Sequence, residues 1–290
     1  MMSMLLQQVF NGVLVGAYFT LLALGLSLIF RLGGIVNLAH GAFYAVGAYL
    51  AVEITELTSY PVAFIAAPIL TACLGMLIEV ILLRRLADRD PVLTLLLTFG
   101  LAIIIEQLIR LIWGATGLPF SIPPFLKGVM FVGDFIVSYY RLSILIVVAA
   151  AITGIWLLLN RTSFGLIVRA GTSDPQIVRT LGIALRPVQT IVFGVGIGLA
   201  ALAGVVAAPL AGVQPAMGTE IITAAFVIVV IGGLGSFWGT LAAGVLVGVV
   251  RGITITFMPP AAESSMYALM VLVLLLRPRG LFGEQMEKLE

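Results

Sequence analysis

Nine apolar runs, most of them close to the length of a membrane-spanning helix, follow one another along this chain of 290 residues. A helix of about 20 residues crosses a hydrocarbon layer, because it satisfies its backbone polar groups internally and rises about 1.5 Å per residue. Strands of a membrane barrel would alternate in polarity over about 10 residues, whereas these runs are continuous. The runs cover residues 5–30, 38–54, 61–86, 92–113, 142–160, 188–210, 219–234, 237–257 and 263–277. They predict an all-α fold, a polytopic transmembrane helical bundle that forms one domain over residues 1–290.

Two of the nine runs are weaker than the rest. The second begins inside GGIVNLAHG, and the seventh is short and ends in GGLGS. Non-helical backbone is tolerated at membrane depth only where protein or a cavity surrounds it. Each of these two runs is therefore either a full span or a broken or re-entrant helix, and the predicted number of spans is eight or nine.

Lysine and arginine are distributed unevenly between the two sets of loops that alternating spans define. With the N-terminus outside, the inner set contains Arg31, Arg84, Arg85, Arg89, Arg161, Arg169, Arg179, Arg186, Arg277, Arg279 and Lys288, and the outer set contains Arg110, Lys127, Arg141 and Arg251. Loops rich in these residues stay in the cytoplasm, so we expect the C-terminus inside and the loop 114–141 outside. The segment MMSMLLQQVF has no positively charged region, and we interpret it as the start of the first membrane helix and not as a cleaved signal.

The chain carries no recognisable motif for soluble catalysis. The string GxxxxGK[ST] of a phosphate-binding loop does not occur, so we do not expect the chain to hydrolyse ATP by that route. His40 is the single histidine and has no Cys, Asp or Glu near it in sequence, so we predict no metal site and no catalytic cluster. The net charge of +2 gives no reason to expect a nucleic-acid partner.

Polar groups inside the predicted spans are few, and such groups mark either structural pairs or a transport pathway. Glu106 precedes Arg110 by four residues, which is the favourable order for an ion pair on one helix face. The two residues form a structural pair, or Glu106 lines a pathway. Asn37 and His40 in NLAHG either satisfy backbone groups where the second span starts or form a gate on the inner side.

Three glycines, Gly244, Gly248 and Gly252, recur every four residues along the eighth run. Residues at this spacing share one face of a helix, and small residues on that face let two helix backbones approach closely. We predict that they form a helix packing surface.

A short capped helix is predicted within RAGTSDPQIVRTLGI at 169–183, between two strongly apolar runs. Asp174 is a good N-cap, Pro175 suits the first helical position, and Gly182 is placed to end the helix, while Ser173 with Gln176 offers a competing capping box. The helix covers about 173–182, and its apolar face contains Ile177, Val178 and Leu181. A helix this short is marginal alone, so the face should rest on the bilayer interface or in a groove of a cytoplasmic partner.

Four passages resemble the permease subunits of bacterial branched-chain amino acid ABC importers, in particular the H-type member of their H/M permease pair. They are GLSLIFRLGGIVNLAHGAFYAVGAYLA at 25–51, RAGTSDPQIVRTLGI at 169–183, GGLGSFWGTLAAGVLVGVV at 232–250 and LLLRPRGLFGE at 274–284. The resemblance implies that residues 173–182 are the cytoplasmic coupling helix that contacts the ATP-binding subunits. Its residues would be Asp174, Pro175, Gln176, Ile177, Val178, Leu181 and Gly182, with Ile177, Val178 and Leu181 in the groove of the ATPase.

The resemblance also implies a complex in the bacterial inner membrane. Its partners would be a homologous second permease, two ATP-binding subunits that hold ATP and magnesium, and a periplasmic or extracellular substrate-binding protein, with membrane lipid around the whole. This chain would bind no cofactor itself and would form half of the translocation pathway. Similar permeases serve urea, amides and aromatic acids, and a secondary transporter or channel is the main rival from another class. An integral membrane enzyme is a third alternative, but it would need a cluster of catalytic groups, and His40 has no such neighbours in the sequence.

Overall fold

A computed structural model describes residues 2–34, 36–86, 90–132 and 135–283. Its helices are α1 Met2–Gly33, α2 His40–Leu57, α3 Tyr60–Ile81, α4 Pro91–Trp113, α5 Tyr139–Arg161, α6 Ser163–Ser173, α7 Pro175–Thr180, α8 Leu185–Ala211, α9 Met217–Gly232, α10 Phe237–Phe257 and α11 Ala262–Leu276. Short 3-10 turns lie at Leu83–Arg85, Pro124–Leu126 and Pro259–Ala261. Two basic residues of the predicted inner set, Arg89 and Lys288, lie outside the described ranges.

The predicted polytopic helical bundle is confirmed. Within the described ranges, seven helices are long and apolar enough to cross a membrane, namely those that contain α1, α3, α4, α5, α8, α10 and α11. The two weak runs are α2, with 18 residues and the acids Glu53 and Glu56, and α9, with 16 apolar residues. Each of them is one continuous helix of about 24 to 27 Å.

The helices α2 and α9 begin inside the bundle and not at its surface. At the start of α2, the His40 Nε2 donates to the Leu22 carbonyl oxygen at 2.9 Å, and Leu22 precedes the end of α1 by about 16 Å. Near the start of α9, the Thr219 hydroxyl donates to the Glu106 carboxylate at 2.7 Å. Glu106 lies about 10 Å along α4 from the end of that helix at Trp113. His40, Met217 and Gly218 at the starts of the two helices are buried, while Gln214 just before α9 is exposed. Backbone that begins a helix inside a bundle is tolerated where protein or a water-filled cavity lies beside it.

The centre of the bundle consists of α1, α2, α8 and α9. In α1 and in α8, 78% of the residues in an apolar stretch of 18 residues are buried. The corresponding share is 17–33% in α3, α4, α5, α10 and α11. The outer helices therefore offer their apolar sides to lipid or to a partner, while the central ones pack against each other. The starts of α2 and α9 touch, because a Cβ built on Gly41 would lie 2.1 Å from the Gly218 carbonyl oxygen.

The glycines on α10 lie close to the backbone of α1. A Cβ on Gly244 would meet the Thr20 hydroxyl, and one on Gly252 would lie 2.6 Å from the Gln8 carbonyl oxygen. Gly248 lies between them against Gly12 of α1. Small residues on both helices bring the two backbones together along several turns.

One departure from the all-helical expectation is a small hairpin in the loop 114–141. Strand β1, Val129–Val132, pairs antiparallel with β2, Phe135–Ser138, in a register that places Met130 opposite Val137. Valine, isoleucine and phenylalanine favour strands. The hairpin leads into α5, and we call this side of the bundle the hairpin end. The opposite side, the α7 end, contains the ends of α1, α3 and α5 and the starts of α8 and α10.

Candidate functional site

The start of α7 has the capping geometry that the sequence predicts. The Asp174 Oδ1 accepts the backbone N–H groups of Gln176 at 2.9 Å and Ile177 at 3.0 Å, and Pro175 occupies the first helical position. The competing register does not form, because the Ser173 hydroxyl donates to the Arg169 carbonyl at the end of α6. The cap therefore separates α7 from α6 by a sharp turn.

The end of α7 is also fixed by its backbone. Gly182 has a φ of +80°, a conformation that residues with a side chain rarely adopt. Its N–H donates to the Arg179 carbonyl at 3.0 Å, and the Ile183 N–H donates to the Val178 carbonyl at 3.3 Å. These two bonds form a Schellman motif. The helix is six residues long and therefore slightly shorter than the predicted 173–182.

The apolar face of α7 is narrower than the sequence predicts. Ile177 and Leu181 are 58% and 72% exposed, whereas Val178 is 3% exposed. Neighbouring residues on a helix point about 100° apart, and here Val178 faces the rest of the chain while Ile177 faces outward. The assignment of Val178 to a partner's groove is wrong, because this side chain packs within its own chain. The exposed apolar surface of α7, which we call the α7 knob, consists of Ile177 and Leu181.

The predicted ion pair within α4 is confirmed. Arg110 donates to the Glu106 carboxylate at 2.7 Å, and the second carboxylate oxygen accepts the Thr219 hydroxyl of α9 at 2.7 Å. The acid is thus held by a base and a hydroxyl, which offsets the cost of placing it among apolar helices. The bond to Thr219, which sequence spacing does not reveal, ties α4 to α9.

A polar strip that the sequence interpretation missed runs along the first turns of α9. Thr219, Glu220 and Thr223 are exposed although α9 is otherwise largely buried, and Gln214 donates to the Glu220 carboxylate at 3.1 Å. We call these four residues the α9 strip. Exposed acids and hydroxyls within a membrane bundle face a water-filled cavity or another protein, because lipid solvates them poorly. The available signal was the i, i+4 spacing of the two threonines around an acid.

The predicted gate residues Asn37 and His40 are completely buried. The Asn37 Oδ1 accepts the Ala39 N–H at 3.0 Å, so Asn37 does satisfy backbone at the start of α2. His40 does not, because its Nε2 bonds to Leu22 of α1, and that part of the capping interpretation is wrong. In the described part of the chain, Asn37 Nδ2 and His40 Nδ1 have no hydrogen-bond partner. Among the same residues, no group of three or more His, Cys, Asp or Glu side chains is arranged to hold a metal ion.

The helical architecture, the polar strip and the protruding short helix define a polytopic membrane protein. Residues 8–276 match the family model described as branched-chain amino acid transport system / permease component. The chain is 30% identical to the high-affinity branched-chain amino acid transport system permease protein BraD of Pseudomonas aeruginosa, over 96% of this chain and 95% of the relative. It is 28% identical to the LivH permease protein of Salmonella typhimurium, over the same shares of the two chains. The chain belongs to this permease family.

More distant relatives extend the comparison. The probable permease protein LivH of Methanocaldococcus jannaschii is 28% identical over 93% of this chain. The LivM permease protein of Escherichia coli is 27% identical over 91% of this chain and 67% of its own length. No solved structure matches the chain. Membership in this family makes the chain a transport permease subunit and not an enzyme.

Proposed function

We propose that this chain is the H-type permease of an ABC importer for branched-chain amino acids and that α7 is its coupling helix. The exposed α7 knob carries the proposal, because Ile177 and Leu181 leave a large apolar surface on a firmly capped helix outside the bundle. A helix of six residues is stable only when docked, and a groove on a partner supplies such a surface. The substrate is proposed from the names of the relatives, and urea, amides and aromatic acids are the alternatives to be tested.

The proposed complex also contains an M-type permease, two ATP-binding subunits with ATP and magnesium, and a substrate-binding protein outside the membrane. The described residues of the predicted inner arginine set lie at helix ends and loops on the α7 end of the bundle. This supports a cytoplasmic α7 and C-terminus and an external N-terminus in the inner membrane. Closure of the ATPases would move α7 as a rigid body and switch the access of the pathway.

The coupling proposal is tested by placing a charge on the α7 knob. Leu181→Asp should abolish substrate-stimulated ATP hydrolysis by the reconstituted complex, because the carboxylate would be buried in the partner's groove. The matched control is Leu57→Asp at the hairpin end, where the leucine is 75% exposed and Leu181 is 72% exposed. The amount of ATPase subunit that copurifies should fall only for Leu181→Asp. Normal uptake and copurification in that variant would remove α7 from the coupling role.

The α9 strip is the proposed contribution of this chain to the pathway between the two permeases, next to Glu106. Its exposed acid and hydroxyls supply a polar wall among apolar helices. Asn37 and His40 lie at the buried start of α2, beside α9, and are proposed to gate the pathway from within. Glu220→Gln should lower uptake roughly tenfold, equivalent to about 1.4 kcal/mol, at unchanged abundance in the membrane.

The control for this variant is Glu263→Gln, another exposed acid in the first turn of a membrane helix. Equal uptake by the two variants would show that the α9 strip does not line the pathway. Because neither substitution touches α7, this result would leave the coupling proposal intact.

A further inference from the structure

The exposed side of α9 changes from polar to apolar along the helix. In its first turns Thr219, Glu220 and Thr223 are exposed, and further along Phe226 and Val230 are partly exposed. From Thr223 onward these residues follow one another at intervals of three and four, so they share one helix face. The helix therefore presents a narrow accessible surface with a polar half, which belongs to the α9 strip, and an apolar half.

The polar half carries one negative charge that no base neutralises. Within the described residues Glu220 takes part in no ion pair, whereas the Glu106 carboxylate is paired with Arg110. The Gln214 amide donates to the Oε2 of Glu220 at 3.1 Å, which leaves Oε1 available on an exposed side chain. Glu220 lies in the first turn of α9, where the helix favours an ionised acid.

The two hydroxyl groups of the α9 strip can only accept further hydrogen bonds. A threonine hydroxyl has one hydrogen to donate and two lone pairs. Thr219 donates its hydrogen to the Glu106 carboxylate at 2.7 Å, and Thr223 donates its hydrogen to the Glu220 backbone carbonyl at 2.9 Å. The Gln214 amide adds an oxygen and one remaining N–H. The polar half is therefore a negatively charged surface on which acceptors outnumber donors.

We propose that this polar half binds the ammonium group of the transported amino acid and that the apolar half contacts its side chain. The inference rests on the proposed function of the α9 strip as a wall of the pathway. An ammonium group has three N–H donors and a positive charge, and its hydrogen bonds to a carboxylate are of the strong, charge-assisted kind. Thr223 and Phe226 are about 4.5 Å apart along the helix axis, a distance that a branched aliphatic amino acid spans.

The same chemistry disfavours the alternative substrates. Urea and amides have N–H donors but no positive charge, so they gain less from the Glu220 carboxylate. An aromatic acid without an amine would bring a negative charge towards that carboxylate and be repelled. The α9 strip therefore selects for an amine-bearing solute.

The test uses the reconstituted complex and three small inhibitors that share a branched carbon chain. Isoamylamine is positively charged, isoamyl alcohol is neutral, and isovalerate is negatively charged. At millimolar concentration only the amine should inhibit leucine uptake by the wild-type complex. Absence of inhibition by the amine, or equal inhibition by the alcohol or by isovalerate, would overturn the proposal before any variant is made.

Glu220→Gln then removes the charge and keeps the size of the side chain. The inhibition constant of isoamylamine should rise about tenfold, the usual effect of losing one hydrogen bond to a charged group. The matched control is Glu263→Gln, an exposed acid in the first turn of α11, where the inhibition constant should not change. An inhibition constant for Glu220→Gln equal to that of the wild-type complex would contradict the assignment of the ammonium group to Glu220.

Two further measurements separate this inference from the proposed function. The second permease should copurify equally with Glu220→Gln and with the wild-type chain, and its loss would make the strip a subunit contact and overturn the proposal. Leucine uptake by the wild-type complex tests the transport function itself. If leucine is carried and the amine has no effect, only the ammonium site fails. If the complex carries urea or an aromatic acid instead of leucine, the proposed substrate and the ammonium site fail together.

Discussion

Replacing Gly248 by alanine tests how tightly α1 and α10 must pack. A Cβ at this position would lie 2.3 Å from the carbonyl oxygen of Gly12 and 2.5 Å from the Cα of Gly16. Ordinary contacts begin at 3.4 Å, so the first distance is too short by about 1 Å. Both obstacles are backbone atoms, which cannot rotate away as the end of a side chain can. The two helices must therefore move apart.

The expected cost follows from that movement. A gap of about 0.5–1 Å forfeits a quarter to a half of each dispersion contact across the surface. The contact between α1 and α10 is the most extensive one between described elements, so the loss extends over several turns. Overpacking of this kind costs typically about 1–3 kcal/mol, and we expect Gly248→Ala to fall at about 2–3 kcal/mol because neither backbone can yield locally.

The assay heats the detergent-solubilised protein and measures the monodisperse fraction by size-exclusion chromatography. Gly154→Ala in α5 and Gly100→Ala in α4 are the controls, because a Cβ there meets no atom within 4 Å. Both controls should keep or slightly raise the midpoint temperature, since alanine is the better helix former. Gly248→Ala should lower the midpoint by several degrees. A midpoint equal to that of the controls would refute the packing argument.

Two smaller changes test local features at the α7 end. Asp174→Ala removes the cap of α7 at a cost of about 1 kcal/mol, so amide exchange should accelerate at 176–180 while the protein stays in the membrane; unchanged exchange would show that the cap is dispensable. Thr190→Val removes the hydroxyl donor to the buried acid Glu79 and should destabilise the bundle by about 1 kcal/mol, measured by the same heating assay. The control is Thr153→Val in α5, because the exposed Thr153 hydroxyl donates to the Ala149 carbonyl of its own helix. Equal midpoint temperatures for the two variants would contradict the argument.

Most of the fold was predictable from the sequence because the membrane imposes one simple rule. Each spanning segment must satisfy its own backbone, so length and apolarity alone locate helices such as α4 and α8. The two runs that looked weak, α2 and α9, are the helices that start inside the bundle. Local capping rules located α7, because Asp174 and Gly182 act within a few residues of themselves.

The sequence-based predictions failed where a contact with a residue distant in the sequence determines where a side chain lies. Helical spacing assigned Val178 to the apolar face of α7 but could not tell which part of that face the rest of the chain already covers. Sequence placed His40 correctly at the start of α2, yet its hydrogen-bond partner, Leu22, is eighteen residues away on another helix. The hairpin before α5 is short, and an apolar run of that length does not distinguish a strand from a loop.

Glu106 and Glu220 show the same limit at the candidate pathway. Both are single acids in apolar surroundings, and composition offers no reason to treat them differently. Arg110 and Thr219 satisfy the carboxylate of Glu106, whereas Glu220 is exposed and its carboxylate accepts a hydrogen bond from the Gln214 side chain. An acid with a base beside it is stable among helices, and an exposed acid in a bundle needs water, a partner or a passing solute. The same residue type therefore acts as a structural tie in one helix and as a candidate pathway group in the other. Sequence spacing reveals the Arg110 partner of Glu106, whereas the bond to Thr219 and the exposure of Glu220 come from the fold.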